Sequence, residues 1–486
     1  MRRLFTLAAV ILAAGPATAD YPPSPDKDGV VRIALEVSPA KPPVPASKYN
    51  LYPEYRDQQP GNRVQGLLRT FAEQDDFFAN KVRFEQRDKW QRLPLAELPA
   101  DVREQARVNS GMMYDKTTQF LGIADYAARF SRTEWNEYFD LRKDGINMLL
   151  PEVQKMRYLA AAIQLRLRGE IKAGEWPRAV ESVKTIWGIA QALEQHPTFI
   201  GNLVGIAIYQ IGLNGVEEMA GQPGCPSLFW ALAAVPATPV DSRHGLEGTR
   251  VFPTATFQGL LDAKGPLPPA ELKAFLDLAA ETVKSAGDRE EFQKYPRAAE
   301  LMARPGAYFG RIREDAGRLA AMRKWLADRG AKAADIEVVP PAQLGLTASF
   351  LRFEELREEL MKWYPLPYIQ AKSGLQAADA AIQAAGKDDP LIPLLSVNAL
   401  KVKTAETRLI QRTALLRAVE AVRLHAGATG QLPATLADTK LPLGDDPFTG
   451  KPFEYTLADG VATLRGANST VEPAKFVVEY TIRLRK

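Results

Sequence analysis

Leu149–Pro236 reads LLPEVQKMRYLAAAIQLRLRGEIKAGEWPRAVESVKTIWGIAQALEQHPTFIGNLVGIAIYQIGLNGVEEMAGQPGCPSLFWALAAVP, and its periodicity decides the fold. Val153, Met156, Ala160, Ile163, Leu167 and Ile171 recur at three- and four-residue steps, one apolar stripe of a helix. Lys155, Gln164, Arg168 and Lys172 fall off that stripe. Gly174 stops the helix, and Pro177 sits in the next first turn, where a missing N–H is tolerated. Trp176, Ala179, Val180, Val183, Ile186, Trp187, Ala190 and Leu193 then line one face of a second helix, which Pro197 ends. The result is an αα-hairpin. Gly174-x-Trp176-x-x-Ala179 matches a tetratricopeptide inter-helix turn, but no second copy follows at the required period of about 34 residues, so a repeat array is not expected.

From Thr198 to Val216 no charged residue occurs, and Gly201-x-x-x-Gly205 lies inside the run. A spanning helix needs roughly 20 mostly apolar residues. Asn202, Gln210, Asn214 and four glycines make this run too polar and too helix-weak for lipid, which points to a buried core helix. The glycines are expected to let a neighbouring helix approach closely. No transmembrane anchor is expected in the mature chain.

At 486 residues the chain exceeds one ordinary core. Lys and Arg number 62 against 58 Asp and Glu, a net +4, and the charges interleave without a basic block. That argues against a nucleic-acid partner. Met1–Ala19 has the form of a secretory signal: Arg2 and Arg3, an apolar run from Leu4 to Ala14, and Ala17-Thr18-Ala19 as cleavage site. Export to the periplasm or the extracellular space is therefore expected. The lone cysteine, Cys225, excludes an intrachain disulfide and reads as a packed small residue.

Residues 20–48 form a proline-rich arm in which Val31, Ile33, Leu35 and Val37 alternate with Arg32, Ala34 and Glu36, a half-buried strand pattern. Residues 49–400 read as one helical domain. Within it Asn62 caps a first helix, Asp75-Asp76 opens another, Asp101 starts one toward Arg129, and Thr133 starts one with Trp135, Tyr138 and Phe139. Later helices are expected at Ser242–Leu261, Pro269–Ala286, Ala298–Arg329 with a break at Pro305-Gly306, Pro341–Tyr364 and Tyr368–Ala385. Residues 401–486 change period. A helix from Thr404 to Gly427, with Leu409, Leu415, Leu416, Val419, Val422 and Ala426 inward, precedes strands at Phe453–Leu457, Val461–Leu464 and Phe476–Leu484. Asp459-Gly460 marks a hairpin turn. The fold class expected is mainly α, a bundle of αα-hairpins with a small C-terminal α+β module, one helix packed on an antiparallel sheet. The Val31–Val37 strand is expected to join that sheet and tie the two ends of the chain together.

Two stretches resemble known families. LLPEVQKMR, LVGIAIY and PSLFWAL, with KYNLYPEY and PGN before them, resemble a large family of exported, uncharacterised planctomycete-type bacterial proteins. That family's Cys-Asp-Trp is replaced here by Thr133-Glu134-Trp135. The resemblance implies an extracytoplasmic helical protein and no established activity. LLRAVEAVRLHAGATGQLPATLADTKLPLGDDPFTGKPFEY looks like the globular half of a type II secretion pseudopilin, through Leu432-Pro433-Ala434-Thr435-Leu436 and Asp446-Pro447-Phe448-Thr449-Gly450. It implies a helix, a loop and a β-hairpin, without the pseudopilin's methylated membrane helix.

Catalytic signatures are sparse. His196, His244 and His425 lack zinc spacing, and no nucleophile elbow, Walker loop or dinucleotide fingerprint occurs. Asp445, Asp446 and Thr449, with nearby carbonyls, offer the hard oxygen ligands that suit Ca²⁺. A solvated turn in which Asp446 fixes its own backbone accounts for the same residues. No other cofactor is expected. Glu152, Arg157, Asp241, Arg243 and Glu247 flank the central bundle, where paired carboxylates run acid/base hydrolysis if one is buried with a raised pKa; interhelical ion pairs are the alternative. Phe229 and Trp230 line a ligand groove or pack on the bundle. The reading that absorbs most of these features is an exported, non-enzymatic scaffold whose partners are envelope or secretion-system proteins. A carboxylate-dependent glycan or peptide hydrolase and a small-ligand-binding protein are the alternatives.

Overall fold

The computed structural model describes residues 25–53, 55–72, 81–100, 102, 121–135, 150–286, 295, 297–396, 398–470 and 475–485. The expected signal segment, the Asp75-Asp76 helix start, most of the Asp101–Arg129 helix and the helix through Tyr138 and Phe139 lie outside them. The protein is mainly helical, with a small mixed sheet. It divides into two compact units. The described residues of the larger fall in Ala14–Trp135, Leu150–Gly245 and Val402–Lys486, and those of the smaller in Leu246–Lys401. The linear division at residue 400/401 is therefore not the spatial one, because the C-terminal helix and sheet share a unit with the central hairpin.

The larger unit begins with β1 (Val30–Val37), β2 (Gln59–Asn62), α1 (Arg63–Ala72), α2 (Lys81–Arg92), α3 (Leu121–Ala127) and β3 (Phe130–Arg132). Asn62 caps α1 as expected, its Oδ1 accepting the Val64 N–H at 3.1 Å. The hairpin is α4 (Pro151–Lys172) and α5 (Trp176–Glu194), followed by α6 (Phe199–Ala220) and the short α7 (Phe229–Ala233). Gly174 takes φ +69° between α4 and α5, a conformation that costs a glycine little. Thr198 caps α6 by accepting the Gly201 N–H at 3.2 Å. The three helices α4, α5 and α6 pack on one another. Close approach at α6 needs its glycines: a Cβ at Gly212 would meet the Trp187 indole at 2.2 Å, and one at Gly215 would meet Leu167 at 2.3 Å. Trp187 stacks on Tyr209 with ring centroids 4.2 Å apart and donates to the Tyr209 carbonyl at 3.1 Å. Helix α6 is long and apolar enough to cross a membrane, yet most of it is buried inside the unit. Two residues off the expected stripe are also interior: Gln164 and Arg168 are buried on α4, so that helix is covered on more than one side.

α8 (Arg243–Thr256) leads from the larger unit into the smaller. The smaller unit then runs through α9 (Gln258–Asp262), α10 (Pro269–Ala286), α11 (Ala298–Ala303), α12 (Pro305–Gly310), α13 (Ala316–Asp328), α14 (Ala333–Glu337), α15 (Pro341–Met361), α16 (Tyr368–Gly386) and α17 (Leu391–Leu395). The expected Ser242–Leu261 helix is two pieces, and the expected Ala298–Arg329 helix breaks at Arg304 and again before Asp315. The core around α15 centres on aromatic rings, with Phe350 5.4 Å from Phe257 and 5.7 Å from Phe353, ring centre to ring centre. Its exposed ion pairs follow helical spacing, as in Lys273–Asp277 and Lys324–Asp328.

α18 (Ala399–Thr429) returns the chain to the larger unit, where β4 (Glu454–Ala458), β5 (Val461–Arg465) and β6 (Val477–Leu484) follow. The sheet order is β1-β6-β5-β4. Strands β4 and β5 form the expected hairpin, with Asp459 and Gly460 at φ +50° and +73°, the primed turn that matches strand twist. Strand β1 joins β6 from Val30↔Val477 to Val37↔Leu484, as the alternation around Ile33 predicts. The pairing is parallel, so the sheet is mixed and not wholly antiparallel. Parallel pairing demands a long crossover, and here nearly the whole chain supplies it.

Candidate functional site

The larger unit holds an unusual amount of buried charge, and α18 organises it. The expected inward residues Leu409, Leu415, Leu416, Val419, Val422 and Ala426 are buried, but so are Lys403, Glu406, Gln411, Arg412, Glu420 and Arg423 on the same helix. Each buried charge needs a partner, because an unpaired one costs several kcal/mol.

The first cluster surrounds the start of α8. Glu406 accepts the Ser242 N–H at 3.2 Å and the Lys403 ammonium at 2.7 Å. Glu194, the last residue of α5, lies near the Asp241 backbone, whose N–H favours its charged form. Asp241 accepts the Arg243 N–H at 3.0 Å and its guanidinium at 2.6 Å. Asn202 accepts the Gly245 N–H at 3.0 Å while donating to the carbonyls of Leu193, Glu194 and His196. Three side chains, Glu406, Asp241 and Asn202, thus hold backbone N–H groups that a helix start leaves open. Burial pushes the Glu194 carboxyl up to about 7, with the Asp241 and Glu406 charges adding to the rise and the Asp241 N–H and Arg63 opposing it. Burial also raises Glu406, against the pull of Lys403. Burial lowers the neighbouring His196 to about 3, so its ring is neutral; it packs edge-on against Trp135.

The second cluster lies at the end of α6. Glu217 is 0% exposed and takes hydrogen bonds from Tyr480 on β6 and, at 3.4 Å, from Arg412. Its other oxygen, Oε1, meets no donor. Glu218 pairs with Arg168 at 2.8 Å, and Arg168 also donates to the carbonyls of Trp90, Gln91 and Leu93. Burial raises the Glu218 carboxyl, and Arg168 holds it back. Glu217, Glu218 and Arg168 contribute to the wall of a cavity of about 350 Å³, closed on its apolar side by Leu35, Leu93 and Leu95.

The third cluster fixes the arm. Arg423 is 0% exposed and donates to Glu420 at 2.6 Å, to the Ser38 carbonyl at 3.2 Å and to the Cys225 carbonyl at 2.8 Å. Glu420 in turn accepts the Leu228 N–H at 3.0 Å. Cys225 is buried, and burial pushes its thiol up to about 12, as expected of a packed residue rather than a nucleophile.

The residues singled out from sequence are only partly brought together. Asp241 and Arg243 form a local ion pair, not an interhelical one, and Glu247 pairs with Arg250 one turn on. Among the described residues no hydrogen bond or ion pair joins Glu152 or Arg157, in the first turns of α4, to Asp241 or Arg243. Phe229 is fully buried and serves as packing, whereas Trp230, edge-on to it at 5.0 Å, is 40% exposed. At the calcium candidate the adjacent acids diverge. Asp445 is exposed, while buried Asp446 accepts from Gln411 and the Ala467 N–H, each at 2.7 Å, and from the Phe448 N–H at 2.8 Å. Thr449 accepts the Lys451 N–H at 3.2 Å. This is the turn in which Asp446 fixes the backbone. Among the described residues no three of His, Cys, Asp or Glu gather as a metal-holding group.

Periodicity missed Glu194, Glu217, Glu218, Arg168 and Glu406. The available signal was charge inside otherwise apolar helices, as at Arg168 and at Glu217-Glu218, but their partners lie far off in the chain. Comparison with protein-family models, curated proteins and solved structures gives no match.

Proposed function

We propose that the protein is an exported, non-catalytic scaffold that acts through contacts with other components of the cell envelope. The observation that carries this reading is the commitment of its buried acids. Glu406 and Glu420 each hold a backbone N–H, and Glu217, Glu218, Glu406 and Glu420 each hold a cation. Carboxylates so engaged fasten elements together; an acid/base pair instead presents its oxygens to a substrate. The signal-like start and the pseudopilin-like C-terminal stretch supply the envelope setting in this proposal.

One observation favours a hydrolase instead. Glu194, pushed up to about 7 by burial, sits beside the Asp241 carboxylate, and a raised carboxyl next to a second one is the arrangement of a general acid in hydrolases. Both readings face one experiment: crosslinking of the full-length tagged protein in its native envelope, analysed by mass spectrometry, with turnover of glycan and peptide substrates run alongside. The scaffold reading expects a stoichiometric envelope partner whose capture survives Glu194→Gln. Turnover abolished by Glu194→Gln, with no partner captured, would overturn it.

A further inference from the structure

We infer that the outer edge of β1 accepts an extended segment of a partner polypeptide, apolar at one position and acidic beside it. The segment adds to the four-stranded sheet as a fifth strand. This goes beyond the scaffold reading and rests on the edge of β1 alone, so envelope capture and the binding measured below can fail separately.

Strand β1 stands at one end of the sheet order, and its pairing fixes which of its backbone groups stay open. Val477 donates to the Gly29 carbonyl and Arg485 to the Val37 carbonyl, each at 2.9 Å. The odd-numbered residues of β1 therefore turn their backbone groups toward β6, and the even-numbered ones turn theirs away. Val30, the first that turns away, is answered by Asp26, whose Oδ1 accepts its N–H at 2.9 Å and whose N–H donates to its carbonyl at 3.0 Å. Among the described residues no hydrogen bond reaches the backbone N–H or carbonyl of Arg32, Ala34 or Glu36. Such groups recur every two residues, roughly 6.6 Å apart, which is the period of another extended chain.

The cavity of about 350 Å³ runs along this edge. Ala34, Leu35 and Glu36 all line it, although neighbouring side chains of a strand point to opposite faces, so it follows the strand's backbone. Leu93, Pro94 and Leu95 form its apolar wall, which with Leu35 receives an apolar side chain of the added strand. The charges beside it select an acidic neighbour. Arg485 stands 3.6 Å from Glu36, beyond a hydrogen bond, and Arg92 holds Asp88 through one nitrogen at 2.7 Å. Both line the cavity, and a guanidinium has five N–H donors, so both retain donors for a carboxylate. Arg168 and Glu218 are committed to each other, and Glu217 is wholly buried. That leaves two cations facing one exposed acid, Glu36.

Fluorescence polarisation of the intact protein tests the assignment, with labelled, C-terminally amidated heptapeptides that alternate Val, Ile, Leu or Phe with Asp, Ser or Lys. Saturable binding of at least one Asp peptide is expected, about tenfold or more weaker for its Lys counterpart and for the double variant Arg92→Ala with Arg485→Ala. Ala34→Pro removes an outward N–H and no bond to β6, a substitution an edge strand tolerates, and it is expected to abolish binding. The peptide itself supplies a control that needs no variant. Of its two forms with alternate amides replaced by esters, the one that loses the donors facing β1 should bind about tenfold weaker, and the other like the parent. No peptide bound, Lys peptides bound as well as Asp peptides, binding intact in Ala34→Pro, or two ester forms that behave alike would each overturn the inference.

Discussion

The two units solve the same problem, covering long helices, in different ways. The smaller unit buries mainly hydrocarbon and leaves its ion pairs outside, with Asp389 as the buried charged residue among those described: Phe257, Phe350 and Phe353 meet in its core while Lys324–Asp328 and Arg352–Glu355 lie on its surface. The larger unit buries ions among hydrocarbon, as Arg423–Glu420 and Arg168–Glu218 do. Apolar contacts are non-directional and tolerate slippage. A buried pair with shared backbone partners does not, since any other arrangement leaves several polar groups unanswered. The larger unit joins three separated pieces of chain, and in it the buried charges sit where those pieces meet. Arg423 joins the arm, the Cys225 turn and α18; Glu217 joins α6, α18 and β6.

Breaking the Arg423 node is expected to have the largest effect. Arg423→Ala leaves Glu420 buried without a cation and should cost the larger unit about 3–5 kcal/mol, read as lost amide protection by hydrogen exchange under mild urea. Replacing both partners, as Glu420→Leu with Arg423→Met, is often harmless for an isolated pair. Here it should still cost about 2 kcal/mol, because the Leu228 N–H and the Ser38 and Cys225 carbonyls lose their partners. Full recovery in the double variant would erase the contrast between the units. In the smaller unit Phe350→Ala should cost about 3–5 kcal/mol through lost burial and a residual cavity. That loss is read by thermal unfolding of the natural protein and the variant, and a loss under about 1 kcal/mol would contradict packing as its source. The smallest effect is expected on its surface. Lys324→Ala removes an ion pair whose side chains are both more than half exposed and should shift stability by less than about 0.5 kcal/mol in thermal unfolding.

Much of this architecture is legible in the sequence, and the exceptions share a cause. The hairpin, the capped starts at Asn62, the Asp459-Gly460 turn and the β1 alternation are local patterns, set by a few neighbouring residues. Helix α6 was readable as core because its glycines and amides favour close packing over lipid. What periodicity does not carry is long-range pairing. Arg168 reads as an off-stripe residue until Glu218, 50 positions away, is placed beside it. Glu217 has its partners 195 and 263 positions away. The direction of β1 against β6 and the division of the helices between two units depend on the same distant contacts. Of the site, Asp241 and Arg243 are legible as charges flanking the central bundle, but their pairing is local and not interhelical.

The claim that the larger unit keeps ionisable acids in its interior is tested most directly at Glu194, by unfolding in urea from pH 4.5 to pH 8 for the natural protein and Glu194→Gln. The Glu194 carboxyl rises to about 7 in the folded state, so its contribution is fully present below the unfolded value of 4.5 and is lost as pH climbs through 7. The natural protein should therefore lose on the order of 2–3 kcal/mol across that window. Glu194→Gln keeps the shape and an acceptor oxygen without the charge, so it should remove most of that loss and be the more stable protein at pH 8. A variant that is less stable at pH 8, with the same slope as the natural protein, would contradict the account.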